Sequence, residues 1–263
     1  MQALRHKIGE RGRCETMKVR KFGEKATVLV FFCCLTAALL TGYLAATIYD
    51  ALEDSVRIAP MRRILAALLV CASAYVGALL GTARGSISRA RWMRGVLWLC
   101  FALYLHLILN FTLFDAGLGR QAHGGVPIDR AYYMEWFVNF RPFHTIKQIY
   151  IDGYRYHYIG LRYLLLNLAG NIVAFMPFAF FLPRLFPRTA RWWKFLLLIV
   201  STVCLVEAAQ LIFMCGSCDV DDLILNAGGA MGMYGLLAIP PVRRFLDRMW
   251  CMGKPTEAEK TED

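Results

Sequence analysis

Long apolar segments constrain this chain more than any other feature of its sequence. Six runs of about 20 residues are each long enough to cross about 30 Å of hydrocarbon as helices. Short charged stretches separate them, and 58% of the 263 residues are hydrophobic while only 19% are charged. The predicted fold is therefore all-α, a polytopic transmembrane helical bundle of about six spans. We place the spans at Thr27–Ile48, Ile64–Thr82, Val96–Phe114, Tyr163–Leu182, Phe195–Met214 and Leu223–Ile239.

The positions of the basic residues predict the orientation of the spans. The formal net charge is +11, and all thirty Lys and Arg residues lie outside the spans. Twenty-one of them fall on the face that holds both termini, and nine fall on the other face. By the positive-inside rule, both termini are cytoplasmic. The excess of positive charge thus indicates membrane topology, and we expect no nucleic-acid partner.

The connection between the third and fourth spans is unusually long and aromatic. Residues 115–162 are too many for a bare connection and too aromatic for a flexible linker. Its aromatic residues are Tyr132, Tyr133, Trp136, Phe137, Phe140, Phe143, Tyr150, Tyr154, Tyr156 and Tyr158. Amphipathic rings prefer the depth of the lipid headgroups, so we expect an outer interfacial segment. The alternative is that Arg141, His144 or Lys147 contacts an anionic ligand there.

Polar side chains inside the last three spans form the candidate site. Asn167 and Asn171 lie roughly 6 and 12 Å below the outer end of span four, at 1.5 Å of helical rise per residue. Glu207 and Gln210 lie at roughly 10 and 6 Å in span five, and Asn226 at roughly 6 Å in span six. Spacings of three or four residues place each pair on one helix face. These residues predict a polar pocket open to the outside.

Two interpretations of these polar groups remain open. Amides inside membranes commonly hydrogen-bond one another and hold helices together. Glu207 is harder to explain in this way, because it is the only acidic residue well inside a span. Asp219, Asp221 and Asp222 precede span six, where they cap a helix N-terminus or share a cation with Glu207. His106 and Asn110 add a further i,i+4 pair in span three.

The nine cysteines do not form a disulfide framework, because five of them lie within apolar spans. Cys215 and Cys218 form a C-x-x-C pair in a predicted outer loop. They are incidental thiols or a local disulfide rather than zinc ligands, because no second pair occurs. We expect no metal, no cofactor and no catalytic residue.

Several motifs in the second half of the chain resemble the VanZ-like family. They are NFRPF at 139–143, NLAGN at 167–171, FMPF at 175–178, LP at 182–183, EAAQ at 207–210 and GSCDVDDLILN at 216–226. The resemblance covers about residues 100–240. Two positions depart from the pattern, since Ala179 replaces an expected glycine and Cys218 an expected aromatic residue.

The resemblance implies a multi-spanning protein of the bacterial cytoplasmic membrane. The founding member of the family accompanies glycopeptide resistance and lowers susceptibility to teicoplanin, a lipid-anchored antibiotic. The polar positions that carry over are Asn139, Arg141, Asn171, Glu207, Gln210, Asp219, Asp222 and Asn226. With the resemblance, the chain divides into a basic N-terminal segment (1–26), a transmembrane pair (27–95), a VanZ-like domain (96–240) and a charged tail (241–263).

Three functions fit these observations. The first is a non-enzymatic envelope protein whose outer pocket binds a membrane lipid, a lipid-linked cell-wall precursor or a lipoglycopeptide. The second is an intramembrane enzyme that acts on a lipid-linked substrate with Glu207 as general base. No nucleophile and base can be paired from spacing alone. The third is a lipid transporter or flippase, for which no inverted repeat gives support. We favour the first.

Overall fold

The computed structural model describes residues 2–52, 60–83, 86–114, 129–151, 155 and 161–251. Side chains are described for residues 21–49, 60–83, 86–114, 129–148, 151, 155 and 168–251. The α-helices are α1 (Gln2–Leu52), α2 (Pro60–Gly81), α3 (Ile87–Leu109), α4 (Arg130–Trp136), α5 (His144–Tyr150), α6 (Leu161–Ala174), α7 (Met176–Leu185), α8 (Trp192–Phe213), α9 (Val220–Ala238) and α10 (Pro240–Met249). A parallel pair of two-residue strands, β1 (Val138–Asn139) and β2 (Cys218–Asp219), completes the described fold.

The all-α membrane fold is confirmed. Among the described residues, five segments are long and apolar enough to cross a membrane. They are Lys21–Tyr49, Pro60–Gly81, Ile87–Phe114, Leu168–Leu185 and Trp192–Phe213. A sixth crossing requires α9 and α10 together, and these helices meet at a bend of 85°. The described residues fall into two compact units, one within 1–100 and 247–251 and the other within 101–246.

In the first unit, α1 and α2 pack antiparallel through glycines. A Cβ atom added to Gly81 would lie 2.6 Å from Cβ of Leu29, and one added to Gly77 would lie 2.4 Å from Cβ of Phe32. Only glycine allows such an approach, as expected for helices that associate in lipid. Further along the pair, the hydroxyl groups of Thr36 and Ser73 are hydrogen-bonded at 2.9 Å. The close approach of the two helices at Gly77 and Gly81 therefore fixes how α1 and α2 pack.

Arg89 of α3 bonds back to the C-terminal end of α2. Although arginine is seldom buried, this side chain is only 7% exposed. Its Nε donates to Oγ1 of Thr82 at 3.1 Å, and its Nη2 donates to the carbonyl oxygens of Thr82 and Leu79. A cation here satisfies carbonyl groups that the end of α2 leaves without helical partners.

In the second unit, the predicted fourth span is broken into α6 and α7 at Phe175. Pro177 has no N–H to continue the helical pattern of hydrogen bonds, which favours a break in the helix at this point. The N–H of Phe178 instead donates to the carbonyl of Phe175 at 3.2 Å, and the carbonyl of Ala174 accepts from the hydroxyl of Tyr104 at 2.7 Å. Pro183 lies inside α7.

Aromatic rings form the core around this break. Phe101 lies 5.4 Å from Phe181, and Tyr104 lies 5.0 Å from Phe178, measured between ring centroids. Such pairs contribute about 0.5–1.5 kcal/mol beyond their buried area. The approach of α9 to α6 depends on Gly229, because a Cβ there would lie 2.0 Å from the carbonyl oxygen of Ile172. The core thereby fixes the helices that carry the candidate site.

The aromatic segment between spans three and four contains α4. Asp129 caps this helix, because its side chain accepts from the N–H of Tyr132 at 2.7 Å. Tyr133 is fully buried, whereas Trp136 is 67% exposed. The interfacial position of the segment stays a prediction, and Tyr154, Tyr156 and Tyr158 lie outside the described residues.

Candidate functional site

A short connection between α8 and α9 brings the predicted polar residues together. Helix α8 ends at Phe213. Its C-cap residue, Met214, has a φ of 51°, in the left-handed region, and its N–H donates to the carbonyl of Gln210. The chain turns through Gly216, whose φ is 78°, and enters β2. The N–H of Cys218 then donates to the carbonyl of Phe137 at 2.9 Å. This pairing aligns Asn139 opposite Asp219.

Asp219 is the centre of the hydrogen-bond network. Its Oδ1 accepts from the backbone N–H of Asp221 at 2.9 Å, so Asp219 caps the N-terminus of α9. The same oxygen accepts from Nδ2 of Asn139 at 2.9 Å. Its own N–H donates to Oε2 of Glu207 at 2.9 Å. Glu207 of α8 therefore supports the start of α9 through the backbone.

Asp221 binds the backbone of a segment about 75 residues earlier in the chain. Its side chain is only 1% exposed. Its Oδ1 accepts from the N–H of Phe143 and its Oδ2 from the N–H of Ile146, the latter at 3.0 Å. Phe143 has a φ of 60°, an outlier for a bulky residue. The two bonds to Asp221 offset this strain, which is of the order of 1–2 kcal/mol.

Asn139 organises the same turn from the other side. Its Oδ1 accepts from the N–H of Arg141 at 2.9 Å, and its Nδ2 also donates to Oγ1 of Thr145 at 3.1 Å. Phe140 and Phe143 are 67% and 60% exposed, and Arg141 is exposed between them. The guanidinium of Arg141 has no hydrogen bond or ion pair with another described residue. The network therefore holds a turn on which an exposed arginine lies between two exposed aromatic residues in the sequence.

Asn171 and Asp222 form a separate contact between α6 and α9. Nδ2 of Asn171 donates to Oδ1 of Asp222. The side-chain oxygen of Asn226, one turn further along α9, accepts no hydrogen bond from the described residues, although the residue is only 5% exposed. Asn167 lies on α6, but its side chain is outside the described part of the structure.

Gln210 bonds to backbone groups rather than to the other predicted site residues. It is 2% exposed, and its Nε2 donates to the carbonyl of Thr112 at 2.9 Å. Thr112 lies in a π-helical turn, Asn110–Phe114, that ends span three. The hydroxyl of Tyr133 donates to the carbonyl of Gln210 at 3.2 Å. Gln210 thus joins α8 to span three.

Cys218 lies beside Glu207 and is protonated at neutral pH. Burial and the negative charges of Glu207, Asp219 and Asp222 raise the pKa of its thiol to about 11, and the thiol is hydrogen-bonded to Glu207. A protonated thiol is a poor nucleophile. Cys215 and Cys218 are both buried free thiols rather than a disulfide. Among the described residues, no three His, Cys, Asp or Glu side chains are placed to hold a metal ion.

The structure links only some of the predicted residues in one network. Asn139, Asp219 and Glu207 are linked directly, and the backbone N–H of Arg141 bonds Asn139. Asn171 bonds Asp222 in a separate contact. For Asp221 the sequence predicted only a helix cap or a shared cation and no ligand contact. In the structure it is the most enclosed of the three aspartates and accepts the N–H groups of Phe143 and Ile146. Nothing in the sequence indicated that Tyr133 or Thr145 would contact the predicted site residues.

The fold and this network define a multi-pass helical membrane protein with a polar connection between its last two long helices. A family model described as VanZ/LLP1 matches residues 100–240, which include every residue of the network. The chain belongs to the VanZ/LLP1 family. No curated protein and no solved structure shows a significant match.

Proposed function

We propose that this protein is a non-enzymatic component of the bacterial envelope that recognises a lipid-anchored molecule at the outer face of the cytoplasmic membrane. The molecule carries an anionic group and a long hydrocarbon chain, as a lipid-linked cell-wall precursor or a lipoglycopeptide such as teicoplanin does. One observation carries the proposal, namely the exposed Arg141 on a turn whose backbone is held by Asn139 and Asp221.

The chemistry of this turn suits such a ligand. A guanidinium binds phosphate or carboxylate oxygens through paired N–H donors. The exposed rings of Phe140 and Phe143 are apolar surfaces that fit the start of an acyl chain or the face of a sugar. A turn held in one conformation loses little entropy when a ligand binds. The charge pattern predicts that this turn faces outward.

In this proposal the carboxyl groups of the network hold the turn in place and do not bind the ligand themselves. Asp219 and Asp221 both accept backbone N–H groups, so removing them loosens the turn that presents Arg141. Cys218 does not favour an enzymatic alternative, because its raised pKa keeps the thiol protonated. Glu207 acts here through the backbone of Asp219.

Antibiotic susceptibility tests the proposal in cells. A strain that lacks the protein is complemented with the native chain, Arg141→Ala, Arg141→Lys or Arg130→Ala. Arg130 is a matched control, because it is an exposed arginine on α4 of the same segment. We expect Arg141→Ala to lose the effect on teicoplanin susceptibility at equal protein abundance, and Arg130→Ala to keep it.

The same strains distinguish recognition from a general envelope defect. Susceptibility to a glycopeptide without a lipid chain and the surface lipid composition are measured in parallel. The proposal fails if Arg141→Ala behaves like the native chain in all three measurements while its abundance is unchanged. Turnover of a lipid-linked substrate by the purified protein, lost in Glu207→Gln, would instead indicate an enzyme.

A further inference from the structure

The turn between α7 and α8 carries basic and aromatic side chains that have no part in the hydrogen-bond network of the candidate site. Arg188, Arg191, Trp192 and Trp193 lie in or directly after the 3-10 helix Pro187–Ala190, and all four side chains are exposed. Helix α8 has 22 residues and is about 33 Å long by helical rise. This turn and the α8–α9 connection are therefore separated by about the thickness of the hydrocarbon layer.

Hydrogen bonds and a ring contact hold the turn in one conformation. The N–H and the hydroxyl of Thr189 both donate to the carbonyl of Phe186, at 2.9 and 2.8 Å. From α9, the hydroxyl of Tyr234 donates to the carbonyl of Ala190 at 2.6 Å. The ring of Tyr234 also stacks on that of Phe195, with 4.8 Å between the centroids. The arginines of the turn therefore extend from a fixed backbone.

The first turns of α10 bring a third arginine to the same end of α8 and α9. Pro240 and Pro241 lack the N–H groups that would continue α9, and α10 leaves α9 at an angle of 85°. Tyr234, which bonds the α7–α8 turn, precedes Pro240 by roughly 9 Å of helical rise. Arg244 and Phe245 of α10 are both exposed. Together with the four exposed residues of the turn, these two residues form a basic–aromatic surface.

The three arginines of the basic–aromatic surface are available for a ligand. No hydrogen bond, ion pair or ring contact joins the side chain of Arg188, Arg191 or Arg244 to another described residue. Arg184, in contrast, donates to the carbonyl of Phe180 at 3.2 Å and lies over its ring at 4.5 Å. The fold thus uses one nearby arginine within α7 and leaves three exposed guanidinium groups without a counter-charge among the described residues.

A layer of anionic lipid headgroups has the chemistry that matches this surface. Guanidinium groups bind phosphate oxygens through paired N–H donors. Exposed tryptophan rings prefer the depth of the headgroups, and an exposed phenylalanine favours the apolar boundary beneath them. Four of the ten residues of α10 are charged, which keeps this helix out of the hydrocarbon. Free phosphate lacks an apolar layer, so it would leave the exposed rings in water.

We propose that the basic–aromatic surface binds anionic phospholipids of the adjacent leaflet, with their phosphates at Arg188, Arg191 and Arg244. The exposed rings of the surface enter the layer between headgroups and acyl chains. The charge pattern predicts that this leaflet is the cytoplasmic one. The inference is independent of the function proposed for the Arg141 turn, which lies at the other end of α8 and α9.

Tryptophan fluorescence of the full-length protein in nanodiscs tests the proposal at the surface itself. The chain has six tryptophans, so the test uses a variant in which Trp192 is the single tryptophan and the others are phenylalanine. The nanodiscs contain phosphatidylcholine with a minor fraction of phosphatidylglycerol, and bromine atoms on the acyl chains of one lipid quench nearby tryptophan. We expect brominated phosphatidylglycerol to quench Trp192 more strongly than the same fraction of brominated phosphatidylcholine.

Arginine variants and a second tryptophan provide the controls. Each arginine near an anionic surface contributes about fivefold to the attraction, so Arg188→Ala/Arg191→Ala should remove most of the difference between the two lipids. Arg188→Lys/Arg191→Lys retains the charge and should retain most of the difference. In a variant with Trp136 as its single tryptophan, an exposed ring of α4, Arg188→Ala/Arg191→Ala should leave the quenching by both lipids unchanged. Thermal unfolding verifies that each variant is folded.

Three results would overturn the proposal. Equal quenching of Trp192 by the two lipids, with the arginines intact, would show that no anionic lipid collects there. This is expected if the acids of residues 252–263, outside the described part of the chain, occupy the arginines. Equal losses at Trp192 and Trp136 in Arg188→Ala/Arg191→Ala would show a diffuse attraction to the whole protein. Loss of the difference when glycerol phosphate is added at the concentration of phosphatidylglycerol would show a site for phosphate alone.

Discussion

The α8–α9 connection and the α1–α2 pair differ in what their charged side chains contact. At the α8–α9 connection, the carboxyl groups of Asp219, Asp221 and Glu207 each accept a backbone N–H. In the α1–α2 pair, glycines make the closest contacts, and Arg62 and Arg63 line an open cleft. A charged side chain near a membrane marks a binding site only where the fold leaves it available. The acids are committed to backbone hydrogen bonds, whereas the arginines line a cleft.

The largest expected effect tests whether the acids are structural. Asp221→Ala leaves the N–H groups of Phe143 and Ile146 without their acceptor. A fully buried donor left unsatisfied costs about 1–3 kcal/mol, and these two donors are partly buried, so we expect a loss of up to about 2–6 kcal/mol in the free energy of unfolding. Thermal unfolding of the purified protein in detergent measures it.

Asp129→Ala is the matched control for this loss. It also removes a carboxylate that accepts a backbone N–H at the start of a short helix, but Asp129 is exposed. The expected cost of losing such a cap is about 0.5–2 kcal/mol. Equal losses in the two variants would mean that the buried network does not carry the stability of the connection.

A smaller effect tests the role of glycine in both regions. Gly81→Ala in the α1–α2 pair and Gly229→Ala in α9 each introduce a Cβ less than 3 Å from a neighbouring helix. Overpacking of this kind typically costs about 1–3 kcal/mol. Thermal unfolding should show a lower midpoint for both variants.

Open glycines in the same two compact units provide the contrast. Gly232 is in α9 and Gly95 is in α3, and a Cβ at either meets nothing within 4 Å. Alanine at these positions should leave the unfolding midpoint unchanged or raise it, because it reduces the entropy of the unfolded chain. If Gly81→Ala and Gly95→Ala are equally stable, close helix contact does not hold the α1–α2 pair together.

The smallest effect concerns the ionisation of Cys218. With a pKa of about 11, about one thousandth of this thiol is ionised at pH 8, so maleimide should label it slowly. Because folding retains the proton, the stability from this group is complete below the unfolded pKa near 8.5 and is lost as the pH rises through 11. The rate at which maleimide labels a variant with Cys218 as its single cysteine measures how much of the thiol is ionised.

Glu207→Gln sharpens that measurement, because it removes a nearby negative charge and should speed labelling of Cys218. The same variant unfolded in detergent shows the rate of an unperturbed thiol. Labelling of the folded native-like protein at that unperturbed rate would show that Cys218 is neither buried nor close to Glu207.

Much of the fold could be predicted because each span is a continuous apolar run. The spacing of Asn171, Glu207 and Asp222 also identified the faces that meet. Their partners could not be predicted, since they depend on helix rotation and on residues far apart in the chain. Asn139 and Asp219 are 80 residues apart, and their contact depends on a parallel pair of two-residue strands. The α1–α2 cleft was missed because its residues are ordinary in composition.

Hydrogen–deuterium exchange of the turn tests most directly the claim that the acids hold Arg141 in place. Peptides that cover residues 138–148 are compared between the native protein and Asp221→Asn, with peptides from α2 as an internal reference. We predict strong protection of the Phe143 and Ile146 amides in the native protein and faster exchange in Asp221→Asn, with α2 unchanged. Equal exchange of residues 138–148 in the two proteins would contradict the account.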